Sequence, residues 1–308
     1  MTIAFVHPHK SFLPELEAYN HFFSSCGWNC VTIDPSKQKH FESDVEWRIM
    51  GTYSKLKRFA PVLIHEYGSA STPPFRRLKD FLKSCAGQVP DFRIFLNEWV
   101  KEQFAFPEDR PYGFRDMGIS IPEKKWNPGA KEFDFIYIGN MDPHRRPEKL
   151  LQLFATGSMQ SHSILLLGQH YEWLQKKYAG FTNIIFKGPV RHEEVNEWLG
   201  KSAFGINYVP NRSPFIFQAS TKFLEYASMA MPIVSSNYPW VRAFEKNFGG
   251  RNFYLGEGFE NLSWDNIQKF TYSPPDLNNR SWEQQIRNSG VLEFLKSRFL
   301  GIDFPQTP

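Results

Sequence analysis

Short apolar, β-branched runs alternate along the chain with longer segments that carry apolar residues at helical spacing. This is the pattern of βαβ units, which build parallel sheets. Thr2–Val6 predicts a first strand. Leu13–Ser25 sets Leu16, Tyr19, Phe22 and Phe23 on one helical face, and Gly27 stops the helix. Further strands are predicted at Cys30–Ile33, Pro61–His65 and Phe92–Leu96, with helices over Phe75–Ser84 and Glu98–Phe104. The polar run Pro122–Ala130, broken by Pro and Gly, reads as a linker. After it the alternation restarts. Strands are predicted at Phe133–Ile138, Ile164–Leu167, Ile184–Phe186, Phe204–Val209 and Pro232–Ser235. Helices are predicted at Pro147–Ala155, Glu172–Tyr178, Glu193–Lys201 and Thr221–Met229, and a last one over Trp282–Phe299. The expected fold class is α/β: two doubly wound, Rossmann-like domains over 1–125 and 133–281, a linker at 126–132, and a segment 282–308 that packs back on the first domain.

At 308 residues the chain is long enough for two such domains. Charged residues make up 22% and hydrophobic ones 41%, which excludes a disordered chain, and no apolar run reaches the length of a membrane span. Nothing at the N-terminus reads as a signal peptide, and three cysteines make no disulfide framework; both point to the cytoplasm. The net charge of +4 implies no nucleic acid, but its distribution is uneven. Lys55, Lys57, Arg58, Arg76, Arg77, Lys79 and Lys83 fall within 29 residues that hold only Glu66 and Asp80 as acids. That stretch is expected to face an anionic acceptor or the anionic inner face of a membrane, with Phe75 and Phe81 available to insert.

Chemistry in parallel sheets gathers where strands end and helices begin. Three such ends in the second domain finish in glycine: Gly139, Gly168 and Gly188. Neither the G-x-G-x-x-G nor the G-x-x-x-x-G-K-[ST] pattern is present, so nothing supports a dehydrogenase or a P-loop ATPase. After Gly139 comes Asn140-Met141-Asp142-Pro143-His144-Arg145-Arg146-Pro147, which puts two arginines just before a helix start. Arg grips a diphosphate bidentately. In Ser220-Thr221-Lys222-Phe223-Leu224-Glu225-Tyr226, Ser220 or Thr221 caps a helix and Lys222 lies in its first turn. A cation there opposes the helix dipole unless an anion is bound. Glu225, one turn on, suits ribose hydroxyls.

On these residues the second domain resembles the donor-binding domain of GT-B glycosyltransferases, most closely the family 4 group, over residues 133–240. Gly139 falls at the family glycine, Arg146 at the family lysine, and Glu225 at the second of two glutamates, the one that holds the ribose. Pro232-Ile233-Val234 matches the closing strand, and Gly188-Pro189-Val190 falls where backbone atoms meet the base. Asn140 stands where the family usually has Arg, and Phe217 where it has the first glutamate. Lys222 matches a lysine that related GT-B enzymes place on the phosphates. In the first domain, Val62-Leu63-Ile64-His65-Glu66-Tyr67-Gly68 resembles the strand-end histidine segment of the acceptor side, and His7-Pro8-His9 replaces the usual Gly-Gly.

The resemblance implies a glycosyltransferase that moves a sugar from a UDP- or GDP-linked donor to an acceptor hydroxyl, in surface glycan or glycolipid synthesis. The donor would bind through Gly139, Asn140, Arg145, Arg146, Gly188, Val190, Ser220, Thr221, Lys222 and Glu225, with His65 and Glu66 as catalytic candidates. No cofactor is implied. No Asp-x-Asp pair is present, so metal independence is expected, and a retaining outcome is favoured over an inverting one. The partners implied are a nucleotide sugar, a glycan or lipid-linked acceptor, and an anionic membrane surface touched peripherally. The alternatives on this fold are a nucleotide-sugar epimerase and an inactive GT-B partner subunit.

Overall fold

The computed structural model describes residues 1–7, 13–36, 41–49, 56–71, 74–85 and 87–304. Lys55 and His9, both singled out above, lie outside the described residues. The chain forms two compact units, Met1–Gly118 with Arg280–Pro308, and Ile119–Asn279.

Unit 1 is built on a parallel sheet of β1 (Thr2–Val6), β2 (Asn29–Ile33), β3 (Val45–Ile49), β4 (Val62–Tyr67), β5 (Phe92–Phe95) and β6 (Tyr112–Phe114), in the order β2-β1-β3-β4-β5-β6. Helices α1 (Pro14–Ser25), α2 (Arg76–Cys85) and α3 (Glu98–Gln103) connect them. Strand β3 has no counterpart in the sequence reading, because Val45-Glu46-Trp47-Arg48-Ile49 alternates charge with bulk. In the structure Glu46 and Arg48 are fully buried and pair at 2.6 Å, so the charges neutralise each other inside the sheet layer. Strand β4 also runs two residues past the expected end at His65.

Unit 2 alternates β7 (Phe133–Ile138), α4 (Glu148–Thr156), β8 (Ile164–Leu167), α5 (Glu172–Lys177), β9 (Ile184–Gly188), α6 (His192–Gly200), β10 (Ser202–Asn207), α7 (Thr221–Ser228), β11 (Ile233–Ser236), α8 (Pro239–Phe248), β12 (Phe253–Leu255) and α9 (Trp264–Lys269). Its sheet order is β12-β11-β10-β7-β8-β9, all parallel. Helices cover both faces, so the central strands are apolar throughout; β8 is Ile-Leu-Leu-Leu and wholly buried. Phe135, Leu151, Phe154, Ile164 and Ile206 are inaccessible in one cluster, each worth roughly 1.5–3 kcal/mol on burial.

The break between units falls at Gly118 and Ile119, ahead of the stretch read as a linker. That stretch is strapped to unit 2. Lys125 Nζ donates to the Ser228 carbonyl at 2.7 Å, and Trp126 donates from its backbone to Met229 O and from its indole to Ser202 O, both at 2.8 Å. The chain returns to unit 1 as α10 (Trp282–Asn288) and α11 (Val291–Arg298), two helices where one was expected. Gly290, at φ 75°, turns the chain between them in a conformation that L side chains resist. Ile286, Val291, Leu292 and Leu295 complete the core around Phe22, Phe23 and Trp47.

Candidate functional site

In unit 2 the winding direction reverses between β7 and β10, and the carboxyl ends of these two strands frame the crevice where doubly wound sheets take ligands. Gly139, just past β7, is exposed with φ 115°. Its N–H donates to Leu167 O, and the next strand end repeats the link from Gly168 N to Gly188 O, both at 2.9 Å. A Cβ on Gly168 would run into the Gly139 carbonyl, so the β8 end can come this close only with glycine at position 168.

The opposite wall is the start of α7. Ser220 Oγ caps the helix by accepting from Phe223 N–H at 3.4 Å and donates to Asn207 Oδ1 at 2.7 Å. Asn207, fully buried at the end of β10, donates in turn to Ser235 Oγ at 2.9 Å. This chain of hydrogen bonds pins the positive end of α7 to the strand ends. Thr221, in the first turn, is exposed.

Lys222 lies across the crevice. It is 7% exposed, with its ammonium 5.3 Å from the Tyr137 ring centre, and among the described residues its one hydrogen bond is a long 3.4 Å to the Tyr208 carbonyl. A Cβ on Gly139 would stand 3.9 Å from Lys222 Cε, so β7 and α7 meet here. Burial, reinforced by Arg145, lowers the Lys222 pKa to about 7, against the pull of Glu225. Burial likewise raises Glu225 to about 7, with Lys222 opposing. The pair can therefore take up or release a proton near neutrality.

Three arginines lie in the loops that follow β7 and β10; Arg145 acts on Lys222 directly, and Arg146 and Arg212 act on Tyr208, whose carbonyl Lys222 meets. Arg145 lies in the 3₁₀ turn Pro143–Arg145 after β7, with its guanidinium carbon 5.1 Å from the Phe215 ring centre. Arg146 follows in the left-handed conformation, φ 52°, and is exposed. Arg212, in the loop after β10, lies 5.6 Å over the same Phe215 ring. Its Nε and Nη2 are shielded from solvent and have no hydrogen-bond partner. Among the described residues none of the three has a carboxylate within ion-pair distance. Arg212 was missed from sequence because it stands outside any helix start; Pro210-Asn211-Arg212-Ser213-Pro214 reads as an ordinary turn.

The remaining expected residues are spread along the same edge. Asn140 is exposed and turned back on its own loop, accepting from Asp142 N–H at 2.8 Å and meeting His170 Nδ1 at 3.1 Å. Gly188 ends the edge strand β9, with Val190 half-buried just beyond. Strand β8 separates them from β7, so about 9–10 Å lies between these two strand ends.

The unit 1 candidates are placed differently. His65 and Glu66 are neighbours within β4, so their side chains project to opposite faces of the sheet. Glu66 is 1% exposed and its oxygens are occupied. Arg115 donates to Oε1 from Nε at 2.9 Å and also from Nη2, Tyr19 OH donates to the same oxygen at 3.3 Å, and Trp47 Nε1 donates to Oε2 at 2.8 Å. His65 is 2% exposed. Its Nδ1 meets Tyr67 OH at 3.3 Å and its Nε2 has no partner. Burial, then Arg48 and Arg93, lower its pKa to about 3, so it is neutral at physiological pH. It lines a small cavity of about 130 Å³ with Lys83, Arg93 and Pro90, set beside the loop that enters β5. The expectation that His65 closes its strand is therefore corrected: Tyr67 does.

No protein-family model and no curated protein sequence matches the chain. Solved structures do match, over nearly its whole length. They include sucrose-phosphate synthase from Thermosynechococcus elongatus (TM-score 0.67, 9% identity, covering 97% of this chain and 100% of that one). Anabaena HepE in complex with UDP-glucose matches at TM-score 0.61 and 10% identity, over 96% of this chain and 91% of that one. AviGT4, a glycosyltransferase involved in avilamycin A biosynthesis, matches at 0.56 and 11%, over 97% and 96%. Two doubly wound units place the chain in the mixed α/β class. More narrowly, its fold is that of the GT-B glycosyltransferases.

Proposed function

We propose that the protein is a glycosyltransferase that moves a sugar from a nucleotide-diphosphate sugar, UDP- or GDP-linked, to an acceptor hydroxyl of a glycan or lipid-linked glycan. The observation that carries this is the crevice between β7 and β10, where Lys222 and Arg145 meet beside the positive end of α7, and where, among the described residues, Arg145, Arg146 and Arg212 have no carboxylate within ion-pair distance. Such an arrangement is costly unless an anion joins it, and a diphosphate supplies the charge. The base would reach toward Gly188 and Val190, across a gap of nucleoside size, and Glu225 would take the ribose hydroxyls. That HepE was solved with UDP-glucose supports the donor class.

On this reading the sugar C1–O bond breaks, the electron pair goes to the leaving diphosphate, and the acceptor oxygen bonds to C1. The protein cations and the first-turn N–H groups near Ser220 and Thr221 hold the developing charge, each donor worth about 10²–10³-fold in rate. They take the place a metal ion has in other transferases, so no metal is required. A retaining course is favoured, with the leaving phosphate taking the acceptor's proton. The supporting observation is that Glu66 is locked in its ion pair and that His65 binds a proton only weakly. A cytoplasmic setting would supply the nucleotide sugar and keep the free cysteines Cys26, Cys30 and Cys85 reduced.

The test is a thermal-shift panel of UDP, GDP, ADP and CMP. A ligand at about 100 times its Kd stabilises by about 2.7 kcal/mol, a readable shift. Stabilisation by UDP or GDP above CMP is expected. No stabilisation by any diphosphate would overturn the reading.

A further inference from the structure

Helix α2 is built inside out. Its buried residues are Asp80 and Ser84, with Arg76 and Lys83 half-buried on the same side. Its large apolar residues face solvent: Leu78 is 56% exposed, Phe81 54% and Leu82 56%, and Phe75, just ahead of the helix, is 76% exposed. Phe75, Leu78, Phe81, Leu82 and the exposed Cys85 recur every three or four residues, so they form one continuous stripe. Val89, 45% exposed, follows beyond the helix end. A water-facing helix normally shows the reverse pattern, and exposed apolar residues in a contiguous line mark a surface that meets something.

The charges say what it meets. Arg77 and Lys79 are exposed and flank the stripe on either side. The single carboxylate of the helix, Asp80, is fully buried and accepts from Ser71 N–H at 2.9 Å. Arg76 is turned toward α3, its guanidinium carbon 5.4 Å from the Trp99 ring centre and hydrogen-bonded to Gln103. Glu98 of α3 is already paired with Lys101 at 3.0 Å. An apolar stripe bordered by cations, with its own acid withdrawn, complements a surface that is anionic outside and hydrocarbon beneath.

We propose that α2 is a membrane-docking helix that lies in the interface of an anionic bilayer, with Phe75, Leu78, Phe81 and Leu82 inserted and Arg77 and Lys79 at the headgroups. The sequence pointed to the basic stretch and to Phe75 and Phe81. The structure adds Leu78 and Leu82 and shows that all four share one exposed face. Neither signal suffices alone: four apolar side chains on a short helix bind weakly, and a few cations are screened by salt. Together they give reversible attachment. The proposal goes beyond the nucleotide-sugar reading and does not depend on it.

The test is co-sedimentation of the full chain, without nucleotide, with vesicles of phosphatidylcholine alone and of equal parts phosphatidylcholine and phosphatidylglycerol. Binding is expected on the anionic vesicles, at least about tenfold above the neutral ones, and to fall with added salt. A variant with Phe75, Leu78, Phe81 and Leu82 all replaced by Ser, and separately Arg77→Glu with Lys79→Glu, should each lose about tenfold or more. These side chains are exposed, so both variants should keep the wild-type melting curve and the same response to UDP. Equal binding to both vesicle types would overturn the proposal, as would wild-type binding by the Ser variant. A concentration-dependent dimer or a specific protein complex that the Ser variant loses, without vesicle binding by the wild type, would reassign the stripe to a protein partner and overturn it too.

Discussion

The two sheets handle buried charge in opposite ways. In unit 1 most of the charged side chains inside the fold are paired with each other; Asp80, held by the Ser71 N–H, is the exception among the described residues. Glu46 holds Arg48, Glu108 holds Arg93, and Arg115 lies between Glu66 and Glu15. Burial alone would make the Arg115 guanidinium easier to deprotonate, but Glu66, Tyr19 and Glu15 outweigh this and raise its pKa. In unit 2, at the strand ends of the crevice, Lys222 has Glu225 one helical turn on, and Arg145, Arg146 and Arg212 have no carboxylate in ion-pair reach among the described residues. Paired buried charge is architecture; on the proposed reading, the unpaired charge at the topological switch point is where the diphosphate binds. The distinction matters because both units contain residues of the kind that do acid–base and phosphate chemistry, and only their partners separate the two uses.

The largest effect that would test the comparison is on unit 1. Glu66→Ala leaves Arg115 buried with only Glu15, 3.6 Å away, to balance it. Removing one member of a buried pair costs about 3–5 kcal/mol, so denaturant melts should show a much less stable protein. The folded fraction should retain its UDP response. Normal stability with lost transfer would mean that Glu66 is catalytic after all.

Next is Lys222→Ala in unit 2. Transfer should fall by about 10²–10³-fold, as for a lost transition-state donor, while the protein without ligand melts no lower than wild type. A buried lysine whose pKa is pushed down is a destabilising group in the empty protein, so its loss relieves strain instead of creating it. A large fall in stability with unchanged transfer would place Lys222 with the architectural charges.

The smallest effect concerns pH. A bound diphosphate raises the Lys222 pKa above its free value of about 7, so affinity should be full below that value and decline as pH rises through it. Glu225, also at about 7, contributes in the same direction if its loss of a proton adds negative charge beside the phosphate. Tyr137 and Tyr208, which face the same lysine, are raised by burial and stay neutral. A nucleotide-diphosphate sugar is the right probe, because its phosphates do not titrate in this range. Calorimetry should show proton uptake on binding near pH 7; affinity flat from pH 6 to 9 would exclude a titrating lysine at the site.

Much of this was legible in the sequence, for physical reasons. Strands such as Ile164–Leu167 lie under helices on both faces and so read as unbroken apolar runs, and Gly139 and Gly168 mark ends where backbones meet. Lys222 stood out because a cation in a first helical turn is locally unfavourable. What stayed hidden depends on partners distant in sequence. Val45–Ile49 reads as a polar segment until Glu46 finds Arg48 inside the sheet. Glu66 reads as an available base until Arg115, 49 residues away, is seen to hold it. Arg212 reads as a turn residue until the Phe215 ring is seen to carry both it and Arg145.

The central claim is that the unpaired cations of the crevice bind a diphosphate. The most direct measurement compares UDP with uridine by titration calorimetry, on the wild type and on Arg145→Ala with Arg212→Ala. Wild type should prefer UDP by orders of magnitude. The double variant should lose about 3–6 kcal/mol of UDP affinity, from charge-assisted hydrogen bonds worth about 1.5–3 kcal/mol each, while its uridine affinity stays the same. Equal losses for UDP and uridine, or a double variant that still prefers UDP as strongly as the wild type, would contradict the account.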